Sequence, residues 1–162
     1  MSLKARDKME SGKLASFFEE DLCLFSLRSR KKSSILQEMV RHLKKTGRIS
    51  DERFIMEMLK NRESLGSTGL GMGVAFPHGR SLAIQNLTVL FGHSSAGIDF
   101  EALDGKPVNI FFLILAPSGK GAETYLALLS ELIGVIQKPS KLNKLMNVKD
   151  FKSLTEILDG KE

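Results

Sequence analysis

One apolar segment constrains the fold of this 162-residue chain more than any other. Residues 108–116 read VNIFFLILA, so only Asn109 interrupts a run of apolar side chains. A strand that is apolar on both faces has to be covered on both sides, as is typical of a central strand between layers of helices. The run is far shorter than the roughly 20 residues that a membrane-spanning helix needs. We therefore predict a central buried strand and no membrane insertion.

The rest of the chain contains elements that fit around such a strand. Apolar residues at helical spacing predict four helices, at 31–46, 50–64, 122–138 and 150–160, and the segment 141–146 adds a short helical turn. Short apolar runs predict three further strands, at 21–27, 73–77 and 87–93, and the Asp104–Gly105 pair predicts a turn before the central strand. This order predicts an α/β fold: a single three-layer domain in which a mixed β-sheet carries helices on both faces.

The composition sets the boundaries of that domain and its compartment. Residues 1–13 are polar and predict a flexible N-terminal arm, so the folded domain is expected to span 14–162. The single cysteine, Cys23, excludes an internal disulfide and a cysteine-based metal cluster. The polar N-terminus shows no secretory signal, and together these features predict a cytoplasmic protein.

Positive charge is concentrated in two segments of the chain. The net charge is +5, and residues 28–32 and 41–45 together hold seven of the 24 lysines and arginines. They fit either a solvated helix face or attraction to an acidic or phosphorylated partner. No aromatic residues interleave with them to stack on bases, which disfavours nucleic acid as a partner.

A glycine-rich stretch surrounds one histidine. Residues 66–81, GSTGLGMGVAFPHGRS, contain five glycines, and the predicted strand at 73–77 ends at Pro77 and delivers His78. Histidine forms covalent phosphoryl intermediates, and an ordinary histidine pKa of about 6.5 leaves neutral imidazole available as a nucleophile. On spacing alone, a structural loop with a chance histidine remains as good an interpretation as a phosphoryl site.

Several neighbours of His78 could bind a phosphoryl group. Gly79 would let the backbone approach it closely, and backbone N–H groups in a glycine-rich turn bind anions. Arginines would contribute charge-assisted hydrogen bonds, and hydroxyls would contribute neutral ones. The candidates are Arg62, Arg80, Ser67 and Thr68.

Other chemistries fit the stretch poorly. The Gly-Lys-Ser/Thr ending of a phosphate-binding P-loop is absent. The sequence GLGMGV precedes a predicted strand instead of following one, so it is no dinucleotide fingerprint. No histidine or cysteine spacing suits zinc, and Ser67 lacks the G-x-S-x-G context of a hydrolase nucleophile.

Residues 62–81, RESLGSTGLGMGVAFPHGRS, closely resemble the signature of a known family. It is the IIA domain of the fructose/mannitol type in the bacterial phosphoenolpyruvate–sugar phosphotransferase system, a group that includes the stand-alone nitrogen-related regulatory protein. The likeness runs over about twenty consecutive positions. With the element order and the segment FEALDGKPVNIFFLILAP, it extends over roughly residues 14–159.

The resemblance implies a function for individual residues. His78 matches the histidine that accepts a phosphoryl group from the phosphocarrier HPr or its nitrogen-branch counterpart, and Arg62 matches the arginine that contacts the site. Thr68 and the turn at Gly79–Arg80 match the loop around that histidine. No metal or other cofactor is implied. The onward partner would be a IIB protein or a regulatory target. The sequence given contains no IIB-like or membrane IIC-like segment, so a regulatory role is expected.

One position departs from the family pattern. Many members have a second histidine near the start of the helix that follows the central strand, and Tyr125 occupies that place here. A tyrosine hydroxyl donates a hydrogen bond to a phosphoryl oxygen, but with an ordinary pKa near 10 it carries no positive charge at neutral pH. An alternative therefore stays open: a regulatory binding module that keeps the IIA fold without efficient phosphotransfer.

Overall fold

The computed structural model describes residues 14–119 and 121–161, so the predicted arm at 1–13 lies outside the described residues. Two short 3₁₀ turns, Leu14–Phe17 and Glu20–Leu22, come first. The strands are β1 (Cys23–Leu24), β2 (Gly69–Gly71), β3 (Val74–Ala75), β4 (His78–Ser81), β5 (Thr88–Ile98) and β6 (Val108–Pro117). The helices are α1 (Lys32–Lys45), α2 (Glu52–Ser64), α3 (Ala122–Ile136), α4 (Pro139–Met146) and α5 (Phe151–Asp159).

The apolar segment forms β6, and β6 is the centre of the sheet. The strand order is β1-β5-β6-β3-β2, with β4 also paired to β6. β5 runs antiparallel to β6 on one side, whereas β3 and β4 run parallel to it on the other. The predicted central strand and the mixed sheet are therefore confirmed.

Both faces of β6 are covered, as its two apolar faces require. Side chains alternate along a strand, so Phe111 and Phe112 enter different clusters. Phe111 packs with residues of α1 and α2, such as Met39 and Leu59. Phe112 packs with residues of α3 and α5, such as Leu128 and Leu154. This arrangement confirms the three-layer α/β fold.

The helices begin and end where the sequence signals them. The Asp51 side chain accepts a hydrogen bond of 3.0 Å from the Phe54 N–H and caps α2. Gly47, with φ of 76°, follows α1. The predicted helical turn at 141–146 is longer than expected, because Pro139 opens α4 as a separate helix. No helix among residues 14–119 and 121–161 has the length and apolarity to cross a membrane.

The strand predictions near the glycine-rich stretch need correction. The expected strand at 73–77 is wrong in its extent: β3 contains only Val74 and Ala75, and His78 is the first residue of β4. The interruption has a physical cause, because Pro77 has no N–H to donate and the Phe76 N–H donates to the Thr68 carbonyl oxygen at 3.0 Å. The strand expected at 21–27 is likewise reduced to the two residues of β1.

Candidate functional site

His78 is held in one tautomer by the interruption between β3 and β4 that precedes it. Its Nδ1 lies 2.8 Å from the Phe76 carbonyl oxygen. A carbonyl oxygen only accepts hydrogen bonds, so Nδ1 carries the proton and Nε2 carries the lone pair. The ring is half-buried, at the start of β4. The interruption between β3 and β4 thus leaves Nε2, the nitrogen that is not bonded to the Phe76 carbonyl oxygen, available as a nucleophile.

Arg62 approaches that nitrogen from the last turn of α2. Its Nε–H donates to His78 Nε2 at 3.3 Å, and its Nη1 donates to the Gly66 carbonyl oxygen at 2.8 Å. The first bond agrees with the tautomer, because Nε2 is its acceptor. The second bond fixes the guanidinium beside His78, where a negatively charged group on Nε2 would find a permanent positive charge.

Tyr125 and Arg80 complete the surroundings of His78. Tyr125, in the first turn of α3, is 6% exposed, and its ring centroid lies 6.1 Å from that of His78. The Arg80 guanidinium carbon lies 5.8 Å from the Tyr125 ring centroid. Burial raises the pKa of Tyr125, and the positive charges of Arg80 and Arg62 oppose that rise. The structure therefore brings together His78, Arg62, Arg80 and a neutral Tyr125.

The hydroxyls of Ser67 and Thr68 hold the loop together. The Ser67 hydroxyl donates to the Phe100 carbonyl oxygen at 2.7 Å and accepts from the Gly69 N–H at 3.0 Å. The hydroxyl and the N–H of Thr68 both donate to the Glu63 carboxylate. Both hydroxyl hydrogens are thus engaged inside the loop, and contact of either residue with a phosphoryl group stays a prediction.

Glu63 is a site-forming residue that the sequence pattern did not single out. Its side chain is 6% exposed, it binds Thr68, and it pairs with Lys32 Nζ at 3.1 Å. The loop before His78 is therefore tied to the first turn of α1. The signal that was available in the sequence is the position of Glu63 beside Arg62 in the family signature.

Gly79 allows close packing of the Met58 side chain of α2 against β4. A Cβ atom at this position would lie 2.5 Å from Met58 Cε and 2.8 Å from Met58 Sδ, closer than side chains come in folded proteins. The glycine thus lets the helix that carries Arg62 lie directly on the strand that carries His78. Contact between Gly79 and a phosphoryl group stays a prediction.

The other two histidines have structural partners. His93 is buried on β5, with Nε2 2.7 Å from the Met146 carbonyl oxygen, and His42 Nε2 lies 2.6 Å from the Asp21 carbonyl oxygen. Within the part of the chain that the structure describes, no three His, Cys, Asp or Glu side chains come together as a group that could hold a metal ion.

Most of the chain matches a known protein family. Residues 16–161 match the model of the family described as phosphoenolpyruvate-dependent sugar phosphotransferase system, EIIA 2. The chain belongs to this family. The resemblance of residues 62–81 is thereby confirmed, together with the fold that it implied.

Some relatives of this EIIA 2 chain are named as nitrogen regulatory proteins and others as sugar-specific components of the phosphotransferase system. The chain is 35% identical over 134 residues to a nitrogen regulatory protein of Bradyrhizobium diazoefficiens, covering 82% of this chain and 86% of that one. The chain is also 31% identical over 147 residues to a fructose-specific EIIABC component of Bacillus subtilis. That match includes 91% of this chain but only 23% of the longer relative.

A solved structure agrees with the EIIA 2 assignment. The nitrogen regulatory protein IIA-Ntr from Neisseria meningitidis superposes with a TM-score of 0.82 at 31% identity. The match covers 90% of this chain and 98% of that one.

Proposed function

We propose that the protein is a phosphohistidine carrier that accepts a phosphoryl group on His78 from an HPr-like phosphocarrier. It then passes the group on or signals through its phosphorylation state. The observation that carries this proposal is the fixed tautomer of His78, with the Nε2 lone pair beside Arg62. An Nε2 lone pair that faces the open side of the site is the nucleophile that phosphoryl transfer to histidine needs.

The transfer step balances without a metal or a co-reactant. The Nε2 lone pair forms the new N–P bond while the bond between phosphorus and the donor's histidine nitrogen breaks, and that electron pair returns to the donor. The Nδ1 proton stays on the hydrogen bond to the Phe76 carbonyl oxygen, which stabilises the positive charge that develops on the ring. In-line approach requires the Arg62 Nε–H to leave Nε2, and the 3.3 Å bond is a weak one to give up.

The positive charges around His78 suit a phosphoryl group that is bound and then passed on. A phosphoryl group brings between one and two negative charges at neutral pH. Arg62 contacts His78 directly, and the Arg80 guanidinium lies over the Tyr125 ring. One arginine in contact with His78 and a second beside Tyr125 would offset the charge of the transition state, which favours a carrier over a tight phosphate-binding protein.

Three exposed leucines that are close in sequence to site residues are candidates for a docking surface for the donor. Leu65, Leu82 and Leu126 are 84%, 87% and 58% exposed. They follow Arg62, Arg80 and Tyr125 closely in the sequence. Exposed apolar side chains mark candidate protein contact surfaces. We propose that the phosphocarrier packs on them in the cytoplasm.

The recipient that we propose is a IIB protein or a regulatory target. The Bacillus relative is named as a joined EIIABC component, which supports a IIB partner. The Bradyrhizobium relative is named as a nitrogen regulatory protein, which supports a regulatory one. Buried, uncharged Tyr125 favours a second candidate, the binding module without efficient transfer.

The test is phosphorylation by radiolabelled phosphoenolpyruvate with enzyme I and HPr. Wild-type protein and the control His42→Gln should be labelled, and His78→Ala should not. The label should lie on Nε2, as read from heteronuclear NMR of the phosphorylated ring. Equal labelling of His78→Ala would refute the proposal, and label on Nδ1 would refute its basis in the tautomer. Partner binding that is the same for the phosphorylated and the unphosphorylated protein would favour the second candidate.

A further inference from the structure

A polar groove lies beside the first helix. It encloses about 630 Å³ between the Arg28–Ser29 segment, the outer side of α1 and Lys60 of α2, and all eight residues that line it are polar or charged. Its cations come from three parts of the chain: Arg28 precedes α1, Arg41 lies on α1 and Lys60 lies on α2. Segments distant in sequence thus converge to place like charges around one open groove.

The one carboxylate that lines the groove, Glu38, accepts hydrogen bonds from the neighbouring Arg28–Ser29 segment. Glu38 accepts hydrogen bonds from the Arg28 N–H at 3.1 Å and the Ser29 N–H at 2.9 Å. It also accepts one from the Ser29 hydroxyl at 2.8 Å. These bonds hold the Arg28–Ser29 segment against α1, which keeps the Arg28 side chain at the groove. Glu38 keeps its negative charge, and against the three cations Arg28, Arg41 and Lys60 it leaves the groove lining with a net positive charge.

The cations of the groove are poorly compensated. Arg41 Nε pairs with Glu52 at 3.5 Å. Within the described chain, neither Arg28 nor Lys60 has a carboxylate within 4.0 Å of its charged nitrogens, and both are exposed. Arg30 and Lys31 next to them are exposed as well. Like charges gathered without partners repel one another, and that repulsion is relieved when an anionic partner binds.

We propose that this groove is a docking site for an acidic polypeptide segment of a partner protein. Arg28 and Lys60 bind its carboxylates by charge-assisted hydrogen bonds, the Arg28 guanidinium in bidentate geometry. Ser33, Ser34 and Gln37 on α1 line the same groove and contribute neutral donors. Charge complementarity of this kind raises association rates and selects partners more than it adds affinity.

The lining lacks the side chains that single-stranded nucleic acid and a membrane surface use, which favours a polypeptide as the anionic partner. No aromatic side chain lines the groove, and Phe54, the exposed ring of α2, lies in its first turn, far from Lys60. Bases would therefore have no ring to stack on. No apolar side chain lines the groove either, so nothing could insert into an acyl-chain layer, as membrane-surface helices do. A chain of carboxylates on a flexible backbone needs neither.

The groove and the phosphoryl site lie on different sides of α2. Lys60 and Arg62 are two residues apart, and at about 100° per residue their side chains diverge by roughly 200° around the helix. Arg62 contacts His78, whereas Lys60 lines the groove. The docking proposal therefore does not rest on phosphorylation of His78, and it fails or succeeds separately.

The test is fluorescence anisotropy of a short labelled peptide in which glutamate alternates with serine, measured at low ionic strength. The double variant Arg28→Gln/Lys60→Gln should bind it about fivefold more weakly than wild type. Arg28→Glu/Lys60→Glu should bind it more weakly still. The matched control Lys149→Gln/Lys152→Gln removes the same charge from exposed sites outside the groove and should bind as wild type does.

One further variant and two further probes distinguish binding in the groove from general attraction to a basic protein. His78→Ala should bind the peptide as wild type does, and a peptide with glutamine in place of glutamate should bind at least fivefold more weakly. Equal losses in the groove variant and the control would show general attraction and overturn the proposal. Stronger binding of an oligothymidylate of the same charge would overturn it in favour of nucleic acid. Both groove side chains are exposed, and thermal melts by circular dichroism verify that the variants fold.

Discussion

The rings of His78 and Tyr125 lie with their centroids 6.1 Å apart and their planes at 41°. Tyr125 is 6% exposed and burial raises its pKa, so it stays neutral wherever His78 would accept a phosphoryl group. The permanent charge at this site therefore comes from Arg62 and Arg80. A second histidine at position 125 could carry a positive charge beside His78, whereas Tyr125 places an uncharged ring there.

The first prediction concerns the titration of Tyr125. It is the single tyrosine of the chain and there is no tryptophan, so near-ultraviolet phenolate absorbance reports this residue alone. Its midpoint in the folded protein should lie above the midpoint in urea, which is near 10. The folded pKa is the higher one, so the stability linked to the neutral phenol is fully present below about pH 10. That stability is lost as pH rises through the folded pKa.

Arg80 gives this titration its control. The positive charge of Arg80 lowers the Tyr125 pKa, so Arg80→Gln should move the midpoint further upward. Lys152→Gln removes an equal charge from an exposed site on α5 and should leave the midpoint in place. Equal midpoints in the folded and unfolded protein would show that Tyr125 is not buried against His78.

The second prediction concerns Arg62. Arg62→Gln should lower the rate of phosphoryl acceptance from HPr by on the order of 10²-fold, because a fixed charge beside the reacting nitrogen is lost. Arg62→Lys should recover only part of it, since an ammonium cannot bond His78 Nε2 and the Gly66 carbonyl oxygen in the same planar geometry. Single-turnover labelling measures both rates.

Arg53→Gln is the matched control for Arg62. Arg53 is an exposed arginine in the first turn of the same helix, so its removal changes the net charge equally and leaves His78 untouched. Its rate should equal that of wild type. Arg62→Gln at the wild-type rate would show that the guanidinium only supports the loop through Gly66.

The sequence predicts the parts of the fold that are governed by local pattern. β6 follows from apolar residues on both strand faces, and the boundaries of α2 follow from its Asp51 cap and its helical spacing. β2 and β4 were not predicted, because Gly69–Gly71 and His78–Ser81 have weak strand preference. Both strands form only because neighbouring strands offer backbone partners.

Some residues of the site could likewise be predicted from the sequence, whereas the contacts between them could not. His78 and Arg62 were found because the signature that contains them is continuous in sequence. The Lys32–Glu63 pair joins residues 31 positions apart, and it exists only because α1 packs against α2. The tautomer of His78 depends on the direction of the Phe76 carbonyl, which the Pro77 interruption sets. Neither feature has a signal in residue type or spacing.

The third prediction concerns Glu63, whose buried carboxylate binds Thr68 and Lys32. Glu63→Ala should lower the free energy of unfolding by about 2–4 kcal/mol, since it leaves the Thr68 N–H and the largely buried Lys32 ammonium without their partner. Glu57→Ala, at an exposed site on the same helix, should change it by less than about 0.5 kcal/mol. Urea unfolding followed by circular dichroism measures both values.

A double-mutant cycle separates the ion pair from the loop contact. If Glu63→Ala destabilises the protein mainly because it leaves the Lys32 ammonium unpaired, removing that ammonium should cost little once Glu63 is gone. Lys32→Met should therefore lower the free energy of unfolding much less in the Glu63→Ala background than in wild type. Additive losses would mean that the Glu63 carboxylate acts through Thr68 alone.

The fourth prediction concerns Gly79, where α2 meets β4. Gly79→Ala should lower the free energy of unfolding by about 0.5–1 kcal/mol, because its Cβ would displace the flexible end of the Met58 side chain. Met58→Ala removes that end of the side chain, so Gly79→Ala should be nearly neutral in that background. Gly134 in α3 has no atom within 4 Å of an added Cβ, and Gly134→Ala should stabilise the protein by about 0.5–1 kcal/mol. If Gly79→Ala costs as much without Met58 as with it, the glycine is required by the backbone instead of by this contact.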